Sequence, residues 1–472
     1  MYHHFEFAER ILGGLRPAFT REATFDWFSA QVLGMATRGD GMGVTSTVRA
    51  LGLEAQSYDA LLGMFRSDAW SSASLRYAWY ATVAAEAPLL DYNGRAVLCS
   101  DGVKVAKDAL RMPGVKRLVQ ESSDSGKGER ILGHMFGAVG VLAGQPGACQ
   151  CVPLKVDLQE GMRAAAGWGG AAEAGISAKT HAVQSVECAF EAAAGIGRDC
   201  YLCMDRYFMC RPALLRAREL NAQGGPDVRI VTKAKSGCVA WEEPPEEAPR
   251  PGRPRKRGAK VALSGLFESA ACEFERVEAR AGGEAREFEA LVRGGGLLLD
   301  QVLVTTDRSL TASQVIELYS MRWGIECAFR DMKQDVRAFS YRFWSKAMPR
   351  LERFAPSGSP DRLESVDDER SRGLILAGAE AVARFVAAAC VATGALQMLA
   401  LAEPRDGAVA YSEFRRTPQR AKVSVRTVRA FLAKRVLSFI GGHPSSPMAR
   451  FIRDREAPGL GYAPSMRRRG RR

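Results

Sequence analysis

A chain of 472 residues, 47% hydrophobic and 25% charged, is globular rather than disordered and too long for one ordinary domain, so two to four domains are expected. Its formal charge of +13 and pI near 9.3 point to an acidic partner, most often nucleic acid. Eleven cysteines scattered through apolar runs, among them Cys99, Cys188, Cys327 and Cys390, read as small buried hydrophobes of a reducing compartment and exclude a disulfide framework.

The first stretch, MYHHFEFAERILGG, lacks a basic segment followed by an apolar one, so no secretory signal is expected. Residues 1–90 read as helical, with breaks at Gly39 to Gly43 and near Ser57. Within them VTSTVRALGLEAQSYDALLGMFRS has the helix, Gly-containing turn, helix pattern of a helix-turn-helix, which suits a DNA-binding region and equally an ordinary bundle.

From residue 95 the period changes to two. RAVLCSD is expected to end a strand at Asp101, and HMFGAVGVLAG and CVPLKVDL supply two more strands after the polar loop QESSDSGKGER. A helix is expected around Ala178 to Ala194, where Val183, Val186 and Phe190 recur at helical spacing. CYLCMD is a short buried strand ending at Asp205. Pro212 opens the next helix, in the first turn, where proline is tolerated. VRIVTKAK is again a strand. Residues 242–260, EEPPEEAPRPGRPRKRGAK, break the pattern as a solvated, charged insertion.

LLLDQVLVTTD resumes strand character, and Thr311 with Gln314 forms a capping-box start for a helix through YSMRWGIECAFRDMK. Later residues read as loop and then helices. Phe385 to Leu401 is a charge-free run of 17 residues, short of the roughly 20 that span a bilayer, so a buried helix and no membrane are expected. The order β, β, β, α, β, α, β, insertion, α is that of a ribonuclease-H-like α/β core, a mixed sheet flanked by helices. The expected division is a helical region 1–90, core 91–235, insertion 236–297, core 298–345 and a helical region 346–472.

Three acids sit where such a core can use them. Two-metal phosphoryl transfer needs carboxylates converging from rigid elements, because two Mg²⁺ ions about 3.5 to 4 Å apart clamp the attacking and leaving oxygens. Asp101 and Asp205 each follow a short apolar strand, and adjacent strand ends lie about 5 Å apart. Each also has a plain reading, as a turn residue or, for Asp205 beside Arg206, a surface ion pair. Asp124 and Asp157 are rival acids, the first in a polar loop and the second without a following turn signal. Glu326 is the third acid. At about 100° per residue, Tyr319, Arg322 and Lys333 fall within about 40° of Glu326 on one helix face. Arg offers a planar fork for phosphate, Lys a point charge and Tyr a hydroxyl and a stacking surface. Gly324 is expected to kink this helix between Trp323 and Glu326.

These residues resemble the DDE transposases of bacterial insertion sequences, specifically the insertion-sequence-four group. Its signature, Y-(2)-R-(3)-E-(6)-K, is matched in every spacing by Tyr319, Arg322, Glu326 and Lys333, while SDG at 100–102 and MDRYF at 204–208 look like its two Asp motifs. The resemblance runs from about residue 90 to 345. It implies that Asp101, Asp205 and Glu326 form a catalytic, metal-binding triad for Mg²⁺, with Mn²⁺ as a substitute. It also implies that Tyr319, Arg322 and Lys333, with Arg330 and Trp323 on the same helix, hold double-stranded DNA. The expected partners are the element's terminal inverted repeats and target DNA, bound by a homodimer in the bacterial cytoplasm. A modest, Pro- and Gly-rich insertion departs from the β-rich insert typical of the group.

Trp241 and Trp323 read either as stacking platforms for an unpaired base or as core or rim residues. PRPGRPRKRGAK holds six Lys or Arg in twelve residues, and Arg253, Arg255 and Arg257 around Gly252-Arg253-Pro254 resemble a minor-groove AT-hook or serve as a solubilising linker. The tail from Arg467 to Arg472 adds sequence-independent affinity. The helix SVRTVRAFLAKRV puts Val425, Val428, Leu432 and Val436 on one face and Arg426, Arg429 and Lys434 towards the other. Cys200, Cys203 and Cys210 come nearest to a metal motif, without a second CxxC or a suitably spaced His. Two rival functions are a catalytically silent DNA-binding derivative and a ribonuclease-H-like repair or recombination nuclease.

Overall fold

The computed structural model describes residues 3–119, 130–235, 238–241, 258–262, 274–280, 287–293, 302–354, 356, 358–404, 407, 409 and 422–459. In chain order the helices α1 (His3–Leu15), α2 (Glu22–Thr37), α3 (Val44–Ala50), α4 (Ser57–Met64) and α5 (Ser72–Glu86) come first. The strands β1 (Asp91–Tyr92), β2 (Arg95–Ala106), β3 (Lys116–Val119), β4 (Arg130–Ala143) and β5 (Gln150–Leu158) follow. Then come α6 (His181–Ile196), β6 (Cys200–Met204), α7 (Arg211–Ala222), β7 (Val228–Lys233), β8 (Val239–Trp241), β9 (Lys260–Ala262), β10 (Phe274–Arg280), β11 (Glu287–Arg293) and β12 (Val302–Thr305). The chain continues through α8 (Ala312–Met321), α9 (Trp323–Arg330), a π-helical segment Asp331–Val336, α10 (Glu369–Ala402), α11 (Val425–Gly442) and α12 (Pro447–Arg453). It is a mixed α/β protein of two compact units: Met1–Leu90, Gly102–His181 and Glu326–Arg472 form the first, Asp91–Asp101 and Ala182–Ile325 the second.

In the first unit α10 is apolar around its whole circumference and buried nearly throughout from Ile375 to Ala400. The sequence isolates only its second half as an apolar run. The helix is long and apolar enough to cross a membrane, yet 83% of its most apolar window is covered by protein, the signature of a core helix. Arg384, buried in its middle, donates to the carbonyls of Phe65, Ser67 and Trp70 at 2.8 to 3.1 Å and to Glu380 at 2.5 Å, so the buried charge is paired rather than orphaned. Gly394 is required where Trp79 crosses α10: a Cβ there would lie 2.4 Å from the indole, whose N–H donates to Pro153 O at 2.9 Å. In α11, Arg429 does not join Arg426 and Lys434 on the exposed face. It turns inward to donate to Arg38 O at 2.6 Å, correcting the simple two-faced reading. β4 pairs antiparallel with both β3 and β5, and β3 is a strand the sequence pattern does not announce.

The second unit is built on a mixed sheet. β2, β6 and β7 run parallel side by side, and β12, β11 and β10 continue the sheet with antiparallel pairing. The parallel strands carry near-continuous apolar runs, Ala96 to Cys99 and Cys200 to Met204, because they are buried on both faces. α8 packs on β6, β7 and β12. Its start is the capping box foreseen from sequence: Thr311 accepts from Gln314 N–H while Gln314 accepts from Thr311 N–H at 2.8 Å. β2 does not end at Asp101. It continues to Ala106, because Val103 is again a buried strand residue after the Asp-Gly pair.

Candidate active site

The register of three parallel strands in the second unit builds the site. Ser100 pairs with Met204, and Met204 with Thr232, so Asp101, Asp205 and Lys233 are the next residues along three neighbouring strands. Asp205 leaves β6 still extended (φ −76°, ψ 165°), and Thr232 Oγ1 donates to its carbonyl at 3.1 Å, which fixes the turn into the 3₁₀ segment Arg206–Phe208. Carboxyl ends of adjacent parallel strands are the usual ligand crevice of α/β sheets. The two aspartates therefore stand side by side, as their strand-end positions suggest, although only one of the strands ends there.

Cations and a phenol surround the pair. Arg322 Nη1 donates to Asp101 Oδ2 at 2.8 Å, both side chains being largely buried. Tyr319 lies beside Arg322, whose guanidinium carbon is 5.9 Å from its ring centre. Burial pushes the Tyr319 hydroxyl up to about 12, with Arg322 opposing and Asp205 and Asp101 reinforcing, so the phenol keeps its proton at neutral pH. Burial, then Arg206, hold the Lys233 ammonium below its ordinary range; Asp205 acts in the opposite sense and Arg322 adds to the lowering. Lys233 is not singled out from the sequence, and Arg206 is read there only as a candidate surface ion-pair partner of Asp205. Their only signal was position, since each adjoins an Asp along the chain or across one strand pairing.

Two cysteines tie α8 to the strands beneath it. Cys99 Sγ donates to Met321 O at 3.8 Å and Cys203 Sγ to Leu318 O at 3.3 Å. Each cysteine stands two residues before an aspartate, and alternate strand residues share a face. The face that holds α8 is thus the face of Asp101 and Asp205, and Tyr319 and Arg322 are carried directly to them. Burial keeps the Cys203 thiol protonated, which suits a donor and argues against a metal-bound thiolate there.

The single helix expected through 319–333 is interrupted. α8 stops at Met321, Arg322 N–H bonds to Tyr319 O and Ile325 N–H to Arg322 O, both at 3.1 Å. These three-residue steps tighten the turn at Arg322, two residues before Gly324 and at the edge of the stretch Trp323 to Glu326 where the kink is expected. After Arg330 the backbone widens into the π-helical segment, so Lys333 does not follow the face calculated for a regular helix. Trp323 is 66% exposed, which removes its core reading. Glu326 lies half-buried in the first turn of α9, Lys333 is exposed, and Arg330, also exposed, pairs with Asp331 at 3.3 Å. Glu326, Arg330 and Lys333 belong to the first unit. Asp157 is paired with Arg76 and Lys155 at 3.1 and 3.2 Å, a structural ion pair. Asp124, Arg253, Arg255, Arg257 and the tail from Arg467 lie outside the described residues.

Residues 176–351 match the transposase DDE domain family. The match supports a DDE transposase, and it contains Asp205, Tyr319, Arg322, Glu326 and Lys333 while Asp101 precedes it. No curated protein matches the chain. Proteins of this family generally use divalent metal ions, and the donor chemistry fits: adjacent carboxylates on rigid strands are hard oxygen ligands of the kind Mg²⁺ and Mn²⁺ take. In the first unit an open cleft of about 830 Å³ is lined among others by Lys107, Asp108, Arg111, Arg342, Arg350 and Trp344, with Lys107 and Arg111 donating to backbone carbonyls of the 339–348 stretch.

Proposed function

We propose that this chain is a DNA transposase of the insertion-sequence-four group with a ribonuclease-H-like catalytic core, acting in the bacterial cytoplasm. It cleaves at the ends of its own element and transfers the freed 3′-OH into target DNA. The observation that carries this reading is the shared register of Asp101 and Asp205 on neighbouring parallel strands, with Arg322 bound to the first of them. Asp101, Asp205 and Glu326 would hold Mg²⁺, or Mn²⁺ in its place; when bound, the metal supplies Lewis-acid stabilisation and an activated water or 3′-OH.

The chain's own residues position and neutralise. Arg322 presents a planar fork to a phosphate that approaches Asp101, and neutral Tyr319 offers it a hydroxyl donor. Lys233 and Arg206 hold positive charge beside Asp205, where a pentacovalent phosphate gains negative charge. Lys333, Arg330 and the exposed Trp323 contact DNA near the cleaved bond. Arg253, Arg255 and Arg257 add backbone or minor-groove contacts, and a homodimer brings two ends together.

Asp101→Ala, Asp205→Ala and Glu326→Ala are each expected to abolish Mg²⁺-dependent cleavage of DNA bearing the element's ends while leaving end binding intact. A purified variant that still nicks removes its residue from the triad. A strand-transfer assay distinguishes this reading from a nuclease that joins nothing.

A further inference from the structure

We propose that His3, His4 and Glu403 form a second metal site, specific for a borderline divalent ion such as Zn²⁺, that fastens the start of α1 to the end of α10. Among the described residues, one ligand atom from each lies within 4.8 Å of the others. His4 Nε2 is 2.5 Å and His3 Nε2 3.6 Å from the same carboxylate oxygen, Glu403 Oε1. Tetrahedral ligands about 2.0 to 2.1 Å from zinc stand roughly 3.3 Å apart, so shifts of about an ångström bring the three to ligating separations.

A plain His4–Glu403 hydrogen bond explains only half of this arrangement. It leaves unexplained why a second imidazole lies against the first, ring centres 3.8 Å apart and planes tilted by 36°, with its own Nε2 turned to the same oxygen. The side chains of His4 and Glu403 are 3% and 8% exposed, whereas that of His3 is 68% exposed. The set is therefore closed on the protein side and open on the solvent side, leaving a fourth position for water. The ligands are also rigidly mounted. Glu403 is the C-cap of α10, its N–H bonded to Leu399 O, and the His4 ring packs 4.9 Å from that of Phe431. Two nitrogens and one oxygen suit Zn²⁺ and not Mg²⁺, so this site and the proposed catalytic one differ in the ion they take.

The test uses the full chain without a polyhistidine tag, stripped with a chelator and titrated with ZnCl₂ against a chromophoric competitor. The wild type is expected to bind one equivalent more tightly than His3→Ala or Glu403→Gln, by at least tenfold, and Zn²⁺ is expected to raise the melting temperature of the wild type only. His3→Ala replaces an exposed side chain, so the readout does not depend on a damaged fold. Equal affinity, stoichiometry and thermal shift in wild type and His3→Ala would overturn the site. Neither result depends on whether the chain cleaves DNA.

Discussion

His134 has one protonation state that satisfies both its neighbours. Its Nε2–H donates to Pro113 O at 2.8 Å and its Nδ1 accepts from the Tyr341 hydroxyl at 2.6 Å, a tautomer assigned from the hydrogen-bond network. Burial pushes its pKa down to about 3 from 6.5. The unfolded chain therefore takes up a proton as pH falls below 6.5 while the native protein does not. The stability contributed by this group is fully present well above pH 6.5 and is lost on the way towards pH 3, with a slope of at most about 1.4 kcal/mol per pH unit for one proton. Urea midpoints between pH 6.5 and 5 are expected to fall steeply in the wild type and less so in His134→Gln. An equal slope in both would refute the assignment. His181, driven down to about 4 by burial, adds a second contribution of the same sign. At this scale the sequence speaks unevenly. Asp101, Asp205 and Arg322 announce themselves through strand ends and motif spacing, whereas Lys233 acquires its place only through pairing between strands distant along the chain, which local pattern does not record.

The π-helical segment Asp331–Val336 is held from outside itself. Asp331 and Asp335 point inward, and Gln397 of α10 reaches Asp331 at 3.3 Å. At its exit Arg337 is left-handed (φ 56°), a strained conformation for a non-glycine residue, and Ala338 N–H closes onto Met332 O at 2.8 Å. Arg38, 1% exposed at the end of α2, fastens this exit: it donates to Val336 O and Arg337 O at 2.9 Å and to Ser340 Oγ at 3.2 Å, and also to Gly43 O. Removing it leaves several buried carbonyls unpaired, so Arg38→Ala is expected to lose about 3 kcal/mol, measured by urea denaturation. Arg38→Lys keeps the charge without the fork. On the proposed function it should stay folded yet cleave roughly tenfold more slowly, because the segment carrying Lys333 is less firmly placed. Unchanged cleavage would show that the clamp serves stability alone. The elements themselves were largely legible, from the Thr311 capping box to the apolar parallel strands. Gly324 signalled the interruption after Met321 two residues late, whereas the widening after Arg330 was hidden, since a 3.6-residue pattern of apolar positions survives a single widened turn. A buried arginine in a glycine-rich turn also looks, in sequence, like any solvated one.

Over the whole molecule the formal charge of +13 favours a polyanionic partner, and on the proposed function the basic side chains that meet phosphates set the salt dependence. Binding to double-stranded DNA should weaken with salt, log K falling by about 0.9 per neutralised phosphate for each unit of log salt. Replacing Arg253, Arg255 and Arg257 together by Ala is expected to reduce that slope by about one for each phosphate that is no longer neutralised, with little change in sequence preference if these residues touch only the backbone. Fluorescence anisotropy over a potassium chloride series measures it, and an unaltered slope would remove the basic stretch from the DNA-binding surface.

The two aspartates owe their proximity to strand pairing and not to any fixed interval along the chain. Insertions or deletions between β2 and β6 can change that interval freely, whereas a slip of one residue within either strand would turn its carboxylate to the opposite side of the sheet. Relatives of this protein should therefore be sought by parity within two short apolar runs, a cysteine or other small residue two places before the acid, rather than by a constant gap between the acids.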